Sequence, residues 1–206
     1  YQYLFTTSTS NNSDDNGIWG LNNSTARVTV SDSIVNYQGK TFTTLNAIPF
    51  VTLNDPRVPI ISGASIKQPS EDALTPLYIQ QVFKTRDDPV AMVAGVDARL
   101  IEAEAKLNAN DIAGMMTIMN SLRATPPRLN ALQPAAMAPL PTPASKDAAI
   151  SLFFREKAFW TFSRGQRLSD LRRLVRQYGR TQDKVFPSGD HYKGGTYGTD
   201  VNFPVP

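Results

Sequence analysis

Apolar positions recur at spacings of three and four over Val93, Val96, Leu100, Ala103 and Leu107. That period puts them on one face of an α-helix beginning near Val90, with Glu102 and Lys106 as an i,i+4 pair beside it. Residues 108–111 supply a turn and an N-cap for a second helix, which carries Ile112, Met115, Met116, Met119 and Leu122 on one side. A short polar link between two such stripes predicts an antiparallel helical hairpin. Six prolines over 125–143 forbid regular helix there and leave a semi-extended connection. Ser145 then caps a third helix, with Asp147 in its first turn. Its body, 150–162, is apolar around most of its circumference and so belongs at the centre of the molecule. A break near Gly165 precedes a fourth helix, with Leu168, Leu171, Leu174, Val175 and Tyr178 on one side and Gly179 as its stop. The expected core holds Leu100, Leu107, Met119, Phe153, Phe154, Leu171 and Leu174. Glu104 lies four residues after Leu100, on or near the apolar stripe, and needs a partner, predicted among the arginines of 155–173.

The first ninety residues read differently. They are rich in Asn, Ser, Thr, Gly and Pro, with short apolar runs such as 26–30 and 48–53, which predicts short strands between long loops. The expected fold is therefore mainly α, helical hairpins in a repeat-like arrangement with long loops and a few short strands. Its divisions are a loop-rich, ligand-side region over 1–90 and a helical region over 91–206, within one continuous domain.

Charge follows the same division. Residues 1–90 carry six basic and eight acidic side chains, and 91–206 carry fifteen and ten, so the net +3 belongs to the helical part. With 41% hydrophobic and 19% charged residues the chain is globular and not a charged disordered tail. The absence of cysteine removes thiol nucleophiles, disulfides and cysteine metal sites. One histidine, His191, excludes histidine-rich metal centres. No apolar run reaches the ~18 residues that span a bilayer. The chain opens at Tyr1 without a methionine or a signal-like segment and closes in the extended run 202–206, which reads as a piece of a longer protein.

Arg99-Leu-Ile-Glu-Ala-Glu-Ala105, Met119-Asn-Ser-Leu-Arg123, Gly165-Gln-Arg-Leu-Ser-Asp-Leu-Arg-Arg173 and Asn202-Phe-Pro-Val-Pro206, together with the earlier Asn54-Asp-Pro-Arg-Val58, occur in this order along 54–206. In that order they resemble the C-terminal half of SusD/RagB-family proteins. Arg164 and Trp160 stand where the family often has glutamates ahead of its glycine, while Glu156 matches a family acid. The resemblance implies tetratricopeptide-type helical pairs and a non-catalytic, cell-surface outer-membrane lipoprotein without a cofactor. It also implies an oligosaccharide or other nutrient ligand, handed to a TonB-dependent, SusC-like transporter. Membrane attachment would come only through a lipid anchor outside this chain.

A glycan binder needs exposed aromatic faces among polar loop residues, because sugar C–H faces stack on rings and hydroxyls pair with polar groups. Trp19, in a run of Asp, Asn and Gly, fits that description, with Tyr37, Tyr78 and Tyr192 as further candidates. Each ring also has a plainer reading, as an anchor of its loop, and Trp160 belongs to the core. Asn12, Asp14, Asn16 and Gly17 have the outline of half a calcium loop, but Asn23 stands where a bidentate Glu is required, so the run reads as a capped turn and no metal site is expected. His191 reads as a loop histidine. Glu102 and Glu104, at i,i+2, fall on different helix faces and make no acid pair for glycoside cleavage. The arginines at 164, 167, 172, 173, 176 and 180 wrap around their helix instead of forming one stripe, which favours ion pairing over a nucleic-acid surface. A scaffold for protein partners, binding in a concave helical face, is the alternative reading.

Overall fold

A computed structural model describes residues 2–5 and 15–198. Of the described residues 36% lie in helices and 15% in strands of small antiparallel sheets, so the fold is a mixture of α and β. That composition overturns the expectation of a mainly α-helical, tetratricopeptide-like fold. In chain order the elements are β1 (Gln2–Phe5), α1 (Gly17–Trp19), β2 (Ile34–Tyr37), β3 (Lys40–Thr43), β4 (Ile60–Ser62), β5 (Tyr78–Gln80), β6 (Val90–Ala94), α2 (Gly95–Asn108), α3 (Ile112–Ala124), α4 (Lys146–Trp160) and α5 (Arg167–Arg176). Among the described residues the sheets are three antiparallel pairs, β1 with β6, β2 with β3 and β4 with β5.

Two features of the fold explain the difference. Residues 90–94 continue the helical spacing in sequence, yet Gln2–Phe5 pairs with them and takes their backbone into a ladder, so the helix starts only at Gly95 and Val93 lies exposed on a strand. The two later helices also fail to repeat the first pair. α2 and α3 lie along one another, and α4 packs on α2, but α4 and α5 do not pack side by side as α2 and α3 do. Ser163 and Gly165 both adopt left-handed backbone, φ 58° and 71°, in the link that turns the chain away after α4.

The helix ends follow from local chemistry. The Ser145 hydroxyl accepts from the Ala148 N–H at 3.1 Å and opens α4, and Asp111 accepts from the Gly114 N–H at 2.8 Å and opens α3. Asp97 accepts from the Ala94 N–H at 2.8 Å and also takes a two-pronged contact from Arg164, at 2.8 and 2.6 Å. The start of α2 is thereby tied to the link after α4. Gly179, φ 66°, ends the last helix as its sequence position implied.

The seven core residues named from the sequence are all buried, in one cluster formed by α2, α3, α4 and α5. α4 serves two cores. Phe153 and Phe154 face this cluster, while Ala158 and Phe159 face Ile48 and Val58 of the loop-rich part. Between the two runs a charged network. Arg57, whose side chain is fully buried, reaches Asp55 at 2.8 and 2.6 Å and Glu156 at 2.7 and 3.3 Å, with its guanidinium carbon 4.9 Å from the Phe159 ring centre and 4.7 Å from that of Trp160. Arg123 of α3 reaches the same Glu156 oxygen at 2.9 Å. Burial opposes ionisation of Asp55, but the hydrogen bonds and charge of Arg57 outweigh it and hold the carboxyl below its ordinary value. Glu104 has the partner its position required: Arg173 grips it with both guanidinium nitrogens, and the Tyr178 hydroxyl donates to it at 2.7 Å.

Candidate ligand-binding site

The site grows from two loops that meet far from each other in sequence. In the β2–β3 hairpin Gln38 and Gly39 have φ 48° and 74°, the left-handed pair that a two-residue turn demands, and this sets Tyr37 opposite Lys40 at the hairpin tip. The second loop, 189–197, closes on itself: the His191 N–H donates to the Gly195 carbonyl and the Tyr197 N–H to that of Gly189, both at 2.9 Å. Gly194 and Gly195, φ 105° and 75°, make the turn possible. Asn46 fixes the base of this loop by donating to the carbonyls of Asp183 and Phe186, at 2.7 and 2.9 Å. Tyr37 and Tyr192 consequently meet edge to face, ring centres 5.3 Å apart, with His191 4.7 Å beyond Tyr192 and Tyr197 5.3 Å beyond His191.

Beside Tyr192 lies a cleft of about 440 Å³. One wall is the segment 26–29, and buried Asn22 holds it by donating to the carbonyls of Val28 and Tyr78 and accepting from the Gln80 N–H. The other is the turn around Asp72, joined to the first where the Glu71 N–H donates to the Ala26 carbonyl at 3.1 Å. Asp72 accepts from the N–H groups of Leu74 and Thr75, at 3.0 and 2.8 Å, and from the Thr75 hydroxyl at 2.6 Å. Lys193 crosses from the aromatic loop to reach Asp72 at 2.7 Å, its ammonium 5.8 Å from the Tyr192 ring centre. The Lys193 hydrogen bond and then those of Thr75 and Leu74 hold the Asp72 carboxyl well below the usual carboxylate range, and Asp72 in turn raises Lys193. Arg27 and Glu71 pair at 3.3 Å on the same cleft.

No family model, curated protein or solved structure matches the chain.

Of the residues singled out by sequence, Tyr37 and Tyr192 come together and Tyr192 lines the cleft. Tyr78 lies behind it on β5, its N–H donating to the Thr29 hydroxyl at 2.8 Å and its carbonyl accepting from the Val30 N–H at 3.0 Å. Trp19 is half-buried on α1, whose first turn Asn16 caps through the N–H groups of Ile18 and Trp19, and it does not line this cleft. Asn12 and Asp14 of the capped-turn motif, and the closing run 202–206, lie outside the described residues. Among the described residues no cluster of His, Cys, Asp or Glu is placed to hold a metal. Arg27, Glu71, Asp72 and Lys193 were not found from the sequence. The one local signal was Ser70-Glu-Asp-Ala-Leu-Thr75, a turn in which an Asp binds the N–H groups two and three residues on.

Proposed function

We propose that the chain is a non-catalytic, SusD-like nutrient-capture protein, that its ligand is a neutral oligosaccharide, and that the ligand binds in the cleft beside Tyr192. The observation that carries this reading is the composition of the cleft: an aromatic ring edge-braced by a second ring, next to two cations and two carboxylates that already pair with each other. A sugar offers a C–H face for the ring and hydroxyls that both donate and accept, and balanced ion pairs supply donors and acceptors without favouring a charged ligand. Asp72, held ionised, is the reverse of the proton-loaded carboxyl that glycoside cleavage uses as its acid, which favours capture over hydrolysis.

The partner and the location come from the resemblance of residues 54–206: a TonB-dependent, SusC-like transporter at the cell surface of the outer membrane. In support, separate pieces of that resemblance touch one another in the fold, Arg57 with Glu156, Arg123 with Glu156 and Arg173 with Glu104. No described helix is long and apolar enough to cross a membrane. The test is calorimetric titration with a panel of neutral oligosaccharides against wild type and Tyr192→Ala. Saturable binding to at least one sugar, lost in the variant with the fold intact, supports the proposal. Heat that is unchanged by Tyr192→Ala contradicts it.

A further inference from the structure

A second cleft, also about 440 Å³, lies where α4, α5 and the segment 180–185 face residues 46–49. Its charge is of one sign. Arg155, Arg167, Arg180 and Lys184 line it, and among the described residues no aspartate or glutamate does. Elsewhere in this molecule cations near the core are matched: Arg57, Arg123, Arg164 and Arg173 each hold a carboxylate. Here they are not. No described residue forms an ion pair or hydrogen bond with Arg155, Arg167 or Lys184 side chains. The acid nearest to Arg167 in sequence, Asp170, is occupied by Lys157 at 2.5 Å and by Arg173 at 3.6 Å. Arg180 spends one terminal nitrogen on Asp147, whose side chain is 80% exposed, and its Nε is buried with no acceptor.

A half-buried guanidinium without a counterion and a buried N–H without an acceptor are both costly, and like charges gathered in one concavity add repulsion. Each cost disappears when an oxyanion enters. We propose that this cleft is a binding site for a compact oxyanion group of the sulfate or phosphate type. Guanidinium groups recognise such groups by paired N–H donors, and three arginines on this lining carry them. At about 440 Å³ the cleft exceeds a single tetrahedral anion, so it accommodates the group either free or as the charged substituent of a larger polar molecule. Burial lowers the Arg167 guanidinium from its ordinary value, with Asp170 opposing only in part, as expected of a cation whose counterion is not supplied by the fold.

The site stands apart from the Tyr192 cleft, and the test is independent of sugar binding. Sodium sulfate and sodium phosphate are titrated into the whole chain, with sodium chloride at matched ionic strength as reference. Heat and the Arg180 Nε–H resonance are followed, since sulfate raises melting temperatures without a site. The expected result is a saturable response to sulfate or phosphate, absent with chloride, with the Arg180 Nε–H signal moving along the same isotherm. Arg167→Gln should weaken it about tenfold or more, and the exposed-site variants Arg155→Gln and Lys184→Gln about three- to tenfold each. These two substitutions sit at exposed positions and so decide the matter even if Arg167→Gln does not fold. Saturable binding of a sulfated or phosphorylated sugar, and not of the free ion, with the same losses in the variants, supports the substituent form of the site. Equal weakening by Arg99→Gln, an arginine paired outside the cleft with Glu102, or a response that chloride reproduces, overturns the proposal.

Discussion

Removing Arg57 tests the fold where its two parts join. The side chain is fully buried, makes four charge-assisted hydrogen bonds to Asp55 and Glu156, and stacks against Phe159 and Trp160. In Arg57→Ala Asp55 is left without its cation, while Glu156 keeps Arg123. Breaking one side of a buried pair costs about 3–5 kcal/mol, mostly through the charge left behind. For a chain of this size that corresponds to a fall of roughly 6–20 °C in melting temperature. Urea denaturation at neutral pH measures it, and an unchanged m-value separates lost stability from a changed unfolded state. Arg57→Lys retains the charge but not the forked geometry, and should lie between the two. The pH dependence carries a sign. Asp55 titrates lower in the fold than in the unfolded chain, so its contribution is complete above about pH 4 and is lost as pH falls through the folded value. The advantage of wild type over Arg57→Ala should shrink over that acid range. A loss below about 1 kcal/mol for Arg57→Ala would refute the reasoning, because a fully buried cation of that size cannot be energetically idle.

Phe153→Ala and Phe159→Ala probe the two cores that α4 serves. Each ring is at most 1% exposed, and each truncation should lower stability by about 3–5 kcal/mol in urea denaturation. Burial first, then the hydrogen bond and charge of Glu104, push the Tyr178 phenol above its ordinary value. Its contribution to stability is therefore present below about pH 10 and lost as pH rises through the folded value, and Glu104→Gln should bring its phenolate absorbance to lower pH. At Gly63 an added Cβ would meet the Gln68 carbonyl oxygen at 2.6 Å and the Leu77 Cβ at 2.8 Å, so Gly63→Ala should cost about 1–3 kcal/mol. Lys193→Gln should raise the Asp72 carboxyl toward its ordinary range, followed by NMR titration of the carboxyl carbon.

Signals carried by a few neighbouring residues were legible in the sequence. The caps at Asp111 and Ser145, the stop at Gly179 and the need of Glu104 for an arginine each depend on the helix that holds them, and the fold supplies them. What depended on distant pairing was not legible. Residues 90–94 carry a helical spacing, and only the arrival of Gln2–Phe5 makes them a strand. Asn54-Asp-Pro-Arg-Val58 reads as a polar turn, and nothing local says that Arg57 enters the interior to meet Glu156 across 99 residues. The candidate site divides in the same way. Tyr37 and Tyr192 were visible as aromatic residues in polar loops, but their contact, and the pairing of Lys193 with Asp72, needed the two loops folded against each other.

The central claim is that a sugar ring rests on Tyr192, and the most direct measurement is the affinity and melting temperature of Tyr192→Ala beside Trp19→Ala with one neutral oligosaccharide that binds wild type. Stacking on one ring is worth roughly 1–3 kcal/mol, so Tyr192→Ala should weaken binding about 5- to 150-fold with its melting temperature within a few degrees of wild type. Trp19→Ala, altering a ring outside the cleft, should leave affinity unchanged. Unchanged affinity in Tyr192→Ala, with the loss falling on Trp19→Ala, would contradict the account and move the sugar site to α1.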